Sequence, residues 1–249
     1  GLEEAEIIVT ATRREQQLAD VPLAVSAVTA ETLARSGASD IRQLNQLSPS
    51  LLVSSTSSEA AGGGARIRGI GTVGDNPGLE SSVATFVDGV YRSRAGVGLT
   101  ELGAIDRIEV LRGPQGTLFG RNASAGLIHV ITARPSFDLG GTLEATYGNY
   151  DAMRLVGGIT GPVSDTISAR LDGVYSKRDG FLKDVTSGRT VNNRDRYMLR
   201  GQMLIEPNTD FSLRLIADYS DRAEECCAAP YYPASLVTAG AGGTINRSA

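Results

Sequence analysis

The sequence contains no tryptophan, two cysteines and a single histidine. The shortage of histidine limits the catalytic sites that the chain can form. A serine hydrolase triad would have to use His129, which lies in an apolar stretch with no nucleophile elbow. Metal catalysis is disfavoured for the same reason, because histidine is the commonest metal ligand. We therefore expect no enzyme, no catalytic residue, no metal and no cofactor, and interpret His129 as a structural or pore-facing residue.

Long apolar runs are also missing, because no stretch approaches the ~18 residues that a membrane-spanning helix needs. This excludes a helical membrane protein but leaves a membrane β-barrel open, since barrel strands turn only half of their residues toward lipid. Positive charge is not in excess, and the net charge of −4 argues against a nucleic-acid partner. The acidic start, Gly1 to Glu4, does not look like a signal peptide, so either a cytosolic or a mature chain is expected.

Glycine is abundant, at 30 residues, and the second half of the chain alternates apolar and polar residues. The alternation is strict at 167–172 and at 211–215, which predicts β-strands. Strands are expected at 141–149, 151–160, 166–177, 195–206 and 210–221. Alternation alone fits both a soluble sandwich, which buries the apolar face, and a membrane barrel, which turns that face to lipid.

Two further features favour the barrel. The joins at 161–165 and 207–209 are short, whereas the connections at 178–194 and beyond 222 are long and polar, as on the two rims of a barrel. Four tyrosines fall at the long-loop rim, where an interfacial aromatic girdle would lie: Tyr147, Tyr175, Tyr197 and Tyr219. A soluble sandwich has no reason to collect tyrosines at one rim.

The preceding part of the chain predicts a compact α+β domain. Asp88-Gly89, between two apolar pairs, is a strong signal for a two-residue hairpin turn. The other expected elements are a strand over 23–29, a helix over 31–36, a second helix with Ile41, Leu44 and Leu47 on one face, and strands over 65–70, 83–91, 105–112 and 126–132.

Two glycine-rich segments in this domain resemble nucleotide-binding motifs but lack the features that such motifs need. Residues 69–74 match the dinucleotide-binding glycine pattern, but a turn sequence from Asp75 replaces the helix that would meet the pyrophosphate. The segment 116–126 lacks the spacing and the Lys-Ser/Thr pair of a phosphate loop.

Four arginines lie among apolar and glycine neighbours: Arg66, Arg68, Arg107 and Arg112. They indicate either a solvated strand face or partly buried ion pairs, with Asp106 and Glu109 as local partners.

The first 20 residues are polar except for one apolar island, Ile7-Ile8-Val9. β-branched residues favour extended structure, but this island has no partner strand close in sequence. Two interpretations remain open. The island is either a frayed terminal strand or a peptide that adds itself to the sheet edge of another protein.

A family resemblance rests on an ordered set of motifs. The plug signature of TonB-dependent outer-membrane receptors resembles residues 106–123, which read Asp-Arg-Ile-Glu-Val-Leu-Arg-Gly-Pro-Gln-Gly-Thr-Leu-Phe-Gly-Arg-Asn-Ala, and the likeness continues to Thr132. Residues 66–69 and 86–90 look like two other plug landmarks, and residues 6–11 resemble the TonB box.

The resemblance implies an α+β plug domain inside a transmembrane antiparallel β-barrel of about 22 strands, of which this chain would hold about the first five. Residues 1–20 would be a periplasmic segment, residues 21–136 the plug and residues 137–249 the start of the barrel. The implied function is import of a scarce nutrient, a siderophore-type, other small organic or oligomeric ligand, across the lipid outer membrane of a Gram-negative bacterium. TonB and the inner-membrane energy-transducing complex would power it.

The resemblance also implies roles for individual residues. The TonB-binding residues would be Glu6, Ile7, Ile8, Val9, Thr10 and Ala11. The plug–barrel ionic contacts would involve Arg66, Arg68, Arg107, Glu109 and Arg112, with Arg68 and Arg112 bound to barrel glutamates beyond Ala249. The turn and motif positions would be Gly69, Asp88, Gly89, Gly113, Pro114, Gly116, Gly120, Asn122 and Gly126. Loops near 54–64, 72–82 and 92–100 would face the outside and touch the ligand.

Two alternatives remain, a receptor that signals to gene regulation and a soluble β-rich binding module. The signalling receptor is disfavoured because only five residues precede Glu6, too few for an extra domain.

The two cysteines, Cys226 and Cys227, are adjacent and follow the fifth predicted strand, without the spacing of a metal site. We expect them to be oxidised, with a vicinal disulfide favoured over bridges to other cysteines.

Overall fold

The computed structural model describes residues 7–36, 41–54, 64–71, 80–92, 103–184 and 187–225. The strands, in chain order, are β1 (Ile8–Val9), β2 (Gln16–Gln17), β3 (Ala24–Thr29), β4 (Leu51–Ser54), β5 (Gly64–Ile67), β6 (Val83–Val87), β7 (Val90–Arg92), β8 (Ile105–Arg112), β9 (Gly126–Thr132), β10 (Gly140–Gly148), β11 (Ala152–Ser164), β12 (Ile167–Arg178), β13 (Leu182–Lys183), β14 (Thr190–Val191), β15 (Arg194–Asn208) and β16 (Phe211–Arg222). The helices are α1 (Ala30–Ser36), α2 (Gly116–Phe119) and the 3-10 helices Leu18–Asp20 and Ile41–Gln46. Within these ranges no helix is long and apolar enough to cross a membrane.

The α+β part is built on a five-stranded sheet in the order β3-β8-β9-β6-β7, called the plug sheet below. β6 pairs with β9 in parallel, whereas β3–β8, β8–β9 and β6–β7 are antiparallel. Because side chains alternate along a strand, Val110 enters one apolar cluster and Leu111 enters another on the opposite face. The plug sheet therefore has a core on each side.

Different parts of the chain cover the two faces of the plug sheet. Leu33 of α1, Leu44 and the β4–β5 hairpin pack on the first face. The second face is covered from the N-terminus and from α2, through Val9, Ala11 and Phe119. Every residue of β6 is consequently buried.

Three sequence expectations for this part have clear outcomes. The hairpin at Asp88-Gly89 is confirmed, with φ of 47° and 80° as a two-residue primed turn requires. The strand expected over 65–70 ends at Ile67, because Arg68 and Gly69 adopt positive φ and turn the chain. The second helix is a 3-10 helix, a form common in such short segments, which Pro49 limits further.

The second five-stranded sheet is an antiparallel meander in the order β10-β11-β12-β15-β16, called the wall sheet below. All five strands expected from the alternation are present. Two of them run further than expected, since β11 continues to Ser164 and β15 to Asn208. Pro162 and Pro207 lie at irregularities in the strand register, where a proline is tolerated.

The wall sheet has an apolar exposed face and a largely polar buried face. Leu143, Leu171 and Leu199 are 84%, 54% and 51% exposed. The buried polar residues on the opposite face are Ser168, Asp172, Ser176, Arg196, Arg200 and Gln202. A sheet folded in water would bury its leucines and expose its arginines. The reverse arrangement is that of a membrane barrel, whose outer face meets lipid.

The four tyrosines line one rim of the wall sheet, as predicted. Tyr175 lies directly opposite Tyr197, and the rings of Tyr197 and Tyr219 are 5.9 Å apart. Tyr147 is 73% exposed at the same end of the sheet. This is the position of an interfacial aromatic girdle.

Candidate functional site

The N-terminal segment predicted to bind TonB is docked on the second face of the plug sheet. Val9 and Ala11 are fully buried there, whereas Ile8 is 44% exposed. Glu6 lies outside the described residues. The segment thus buries Val9 and Ala11 against the plug, leaves Ile8 exposed and holds Thr10 half-buried.

A short hairpin holds the same segment from the side. β1 pairs with β2 through Ile8–Gln17 and Val9–Gln16. The expectation that the apolar island has no partner strand close in sequence is therefore wrong. The reason is a turn in which the Arg13 N–H donates to the Thr10 carbonyl over 2.9 Å and returns the chain alongside itself.

A buried carboxylate binds the end of the segment. Glu109 on β8 has no exposed surface, and its Oε1 accepts the backbone N–H of Thr10 over 2.8 Å. The Thr10 hydroxyl lies 3.2 Å from both carboxylate oxygens. Arg107 donates to Glu109 over 2.9 Å and to Asp106 over 2.6 Å. The interpretation of Asp106 and Glu109 as local partners of an arginine is confirmed.

His129 on β9 adjoins this cluster. Its Nδ1 lies 3.4 Å from the Thr10 hydroxyl oxygen, and its Nε2 accepts the N–H of Gly89 over 3.0 Å. An imidazole that accepts at Nε2 carries its proton on Nδ1 when neutral. Burial lowers the pKa of His129 below its ordinary value of 6.5, although Glu109 and Asp88 act in the opposite direction. His129 is therefore neutral at pH 7.

We expect the plug to lose stability as the pH falls below 6.5, the ordinary pKa of histidine. The unfolded chain binds a proton at His129 before the folded plug does, which disfavours folding by at most about 1.4 kcal/mol per pH unit. Above that pH both states are neutral and the effect vanishes. Urea unfolding of the plug between about pH 5 and 8 measures this. The His129→Asn side chain does not titrate, so this variant should flatten the dependence of the unfolding free energy on pH. An unchanged slope would contradict the assignment of this dependence to His129.

The hairpin turn beside His129 touches the wall sheet through a carboxylate. Asp88 accepts the N–H and hydroxyl of Thr132 over 3.0 and 2.8 Å, which fixes its orientation. Arg214 of β16 approaches Asp88 to 3.5 Å and Arg200 of β15 to 3.7 Å. All three charged side chains are largely buried. The plug is thus anchored to the wall sheet by a plug carboxylate and two wall arginines.

Hydrogen bonds extend this anchor along the junction. Arg214 also donates to the Thr132 hydroxyl over 2.9 Å, and Gln202 donates to the Ala133 carbonyl over 3.1 Å. A cleft of about 570 Å³ lies next to the anchor, between Thr10 and Ile216. The N-terminal segment and the plug–wall junction therefore share one polar region.

Two of the four arginines predicted to contact the barrel, Arg107 and Arg112, have neighbours within the plug. Arg107 binds Asp106 and Glu109, as given above. Arg112 donates to the carbonyls of Ala24 and Val25 on β3, over 3.3 and 3.5 Å. Arg68 is exposed, and Arg66 lies half-buried on β5. The proposed bonds of Arg68 and Arg112 to barrel glutamates beyond Ala249 stay predictions.

The motif glycines mostly form turns around the plug sheet. Gly126 starts β9 with φ of 139°, and a Cβ there would lie 2.2 Å from the Leu111 carbonyl oxygen, so only glycine fits. Asn122 donates to the Tyr91 hydroxyl over 2.8 Å. The remaining motif positions lie in or next to the β8–α2–β9 connection: Gly113, Pro114, Gly116 and Gly120. Cys226 and Cys227 lie outside the described residues.

Residues 17–127 match the family model described as the TonB-dependent receptor plug domain. This chain belongs to the TonB-dependent receptor family. Among curated relatives, it is 28% identical to the pesticin receptor of Yersinia pestis over 193 residues, which cover 76% of this chain and 27% of that protein. It is 27% identical to the vitamin B12 transporter BtuB of Vibrio vulnificus over 187 residues, 73% of this chain and 30% of that protein.

Solved structures show that this TonB-dependent receptor chain shares the fold of its family. The ferric yersiniabactin uptake receptor FyuA of Yersinia pestis superposes with a TM-score of 0.73 at 21% identity. The match covers 80% of this chain and 31% of FyuA. The chain thus spans less than a third of the length of these relatives, and contains a plug with about five barrel strands that do not close.

Sequence reasoning missed the residues that join the plug to the wall sheet. Its expectation of plug arginines bound to barrel glutamates beyond Ala249 stays a prediction. The junction within the described residues contains the plug carboxylate Asp88 with Arg200 and Arg214, and the plug arginine Arg92 at 3.4 Å from Asp218 of β16. A signal was present, because Arg200 and Arg214 occupy polar positions in alternating strands and must face the pore. Their partner could not be read from the sequence, since Asp88 and Arg214 are 126 residues apart.

Proposed function

We propose that this chain is the plug and the first barrel strands of a TonB-dependent importer in the outer membrane of a Gram-negative bacterium. Residues 1–20 are its periplasmic segment, residues 21–136 its plug and residues 137–249 the start of its barrel. The importer takes up a scarce small organic nutrient, gated by the plug and powered by TonB.

The observation that carries this proposal is the inverted wall sheet with a plug attached to its polar face. Leucines on the outer face suit lipid, and arginines on the inner face suit contact with a hydrated plug. The contacts described above between plug and wall are hydrogen bonds and ion pairs, which can exchange with water when the plug moves. Such a junction supports a gate better than a fixed apolar core.

The ligand class is proposed from the relatives. Their names include ferric yersiniabactin, ferric enterobactin and vitamin B12. Two of these three names specify a ferric compound, so a ligand of siderophore type is the first to test. The plug loops expected to touch it lie mostly outside the described residues.

Deleting residues 7–11 from the full-length receptor tests the coupling to TonB. We expect uptake to fall to background, because strand addition needs the backbone groups of this segment. Binding of the ligand from outside should persist, since the deletion does not include the loops expected to touch the ligand. Uptake and equilibrium binding of labelled ferric yersiniabactin, ferric enterobactin and vitamin B12 would be measured, together with binding of the purified periplasmic domain of TonB.

The matched control is Ile8→Ala, which removes an exposed side chain but keeps every backbone donor and acceptor. It should retain most TonB binding. Undiminished TonB binding after the deletion would refute the assignment of this segment.

A further inference from the structure

The segment proposed to bind TonB is not available for strand addition in this structure. β2 occupies one edge of its backbone, and the Leu18 N–H donates to the Ile7 carbonyl over 2.8 Å. The N–H of Thr10 is taken by Glu109. Because an added strand is held by backbone hydrogen bonds along one edge, a partner strand must displace either β2 or the Glu109 carboxylate from this segment.

The contact with Glu109 differs from the others in the nature of its acceptor. The β1–β2 hairpin comprises only two residue pairs, and an isolated hairpin of that size is marginal in water. Glu109 is instead a carboxylate with no exposed surface. Hydrogen bonds to a charged acceptor are about twice as strong as neutral ones. Among the hydrogen bonds that hold the segment, those to Glu109 are therefore the strongest.

Thr10 in turn stabilises the buried Glu109 carboxylate. Thr10 offers the carboxylate two donors, its N–H and its hydroxyl, and Arg107 supplies another. A buried carboxylate that loses donors is strongly disfavoured. Withdrawal of Thr10 would leave Glu109 with Arg107 and with the His129 Nδ1 at 3.9 Å. Release of the segment and reorganisation of this cluster are consequently one event.

We propose that Glu109 is a latch, a positioning residue that holds the TonB-binding segment on the plug through Thr10. This inference rests on the proposed function for the role of the released segment, but the latch itself is a property of the receptor without TonB. It also gives Glu109 a role within the plug, different from the plug–barrel contact that the family resemblance implies.

Hydrogen exchange of the full-length receptor in detergent, without TonB, tests the latch. Glu109→Gln should raise the exchange rate of residues 8–11 by about 10- to 100-fold, the loss expected for bonds to a charged acceptor. Thr10→Val keeps the N–H but lacks the hydroxyl, and should raise the rate by about 10-fold. Exchange reports the fraction of time for which the segment is open.

Asp106→Asn is the matched control. Asp106 binds the same Arg107 but is half exposed and makes no hydrogen bond to Thr10 among the contacts described here. The exchange of residues 8–11 should be unchanged in this variant. If residues 8–11 exchange no faster in Glu109→Gln and Thr10→Val than in Asp106→Asn, the latch is refuted. Should Glu109→Gln prevent folding, Thr10→Val decides alone.

A separate measurement distinguishes the latch from the proposed function. The purified periplasmic domain of TonB should bind Thr10→Val more tightly than the parent receptor, because less of its binding energy is used to open the segment. If exchange rises but TonB binds neither protein, the latch stands and the TonB assignment fails. If TonB binds both equally and exchange does not change, the TonB assignment stands and the latch fails.

Discussion

Asp88→Asn is expected to weaken the attachment of the plug to the barrel wall by about 3 kcal/mol, the lower end of the effect of breaking a buried ion pair. The variant removes one negative charge that faces two buried arginines, Arg200 and Arg214. Asparagine tolerates the positive φ of this position, so the hairpin turn itself should survive. The lower end applies because Arg214 keeps hydrogen bonds to Thr132 and Gln202.

The measurement is urea unfolding of the plug in the full-length receptor, with the hydrogen exchange of β6 and β7 as the readout. Asp218→Asn provides the comparison, because Asp218 also joins the two sheets, at 3.4 Å from Arg92 of β7 and 3.8 Å from Arg200, but is 34% exposed. Pairs with that exposure contribute roughly 0–1 kcal/mol. Equal losses in the two variants would show that Asp88 is not the principal anchor.

Leu171→Arg is expected to destabilise the barrel by about 2–4 kcal/mol in lipid vesicles, the effect of an arginine near the bilayer midplane. Leu171 lies in the middle of β12, points outward and faces Ile159 and Gly201 on the two neighbouring strands. A soluble β-rich module would tolerate arginine at such an exposed position to within roughly 0.5 kcal/mol. The two architectures therefore predict clearly different results.

Val163→Arg provides the comparison at a different depth. Val163 is also exposed and outward-facing, but it lies near the end of β11, where an arginine reaches the interface. The loss there should be about 0–1 kcal/mol. Unfolding free energies of both variants, measured in the same vesicles, check the depth dependence. If Leu171→Arg is as mild as Val163→Arg, the outer face does not meet lipid.

The wall sheet could be predicted almost completely from the sequence, because its information is local. Strict alternation at 167–172 and 211–215 fixes both the strands and the outward face. The turn at Asp88-Gly89 was predictable for the same reason, since few residue pairs adopt two positive φ angles. Strand ends were less certain, because Pro162 and Pro207 lie inside strands at register irregularities that short-range patterns do not reveal.

The candidate site depends on contacts between distant parts of the chain. Thr10 and Glu109 are 99 residues apart, and no local pattern links a threonine to a carboxylate at that distance. The same holds for Asp88 and the wall arginines, since Asp88 and Arg214 are 126 residues apart. The β1–β2 pair was missed because two glutamines, Gln16 and Gln17, carry no strand signal of their own.

The geometry of the β1–β2 hairpin determines how it responds to mechanical force. Its open end is the Ile8–Gln17 pair, which lies next to both the incoming chain at Ile7 and the outgoing chain at Leu18. Tension between these two points peels the strands apart one pair after another, whereas a shearing load would stretch every bond at once. A weak pull is enough to open a hairpin loaded in this way. The strongest of the hydrogen bonds, those to Glu109, are then loaded only when the tension arrives at Thr10.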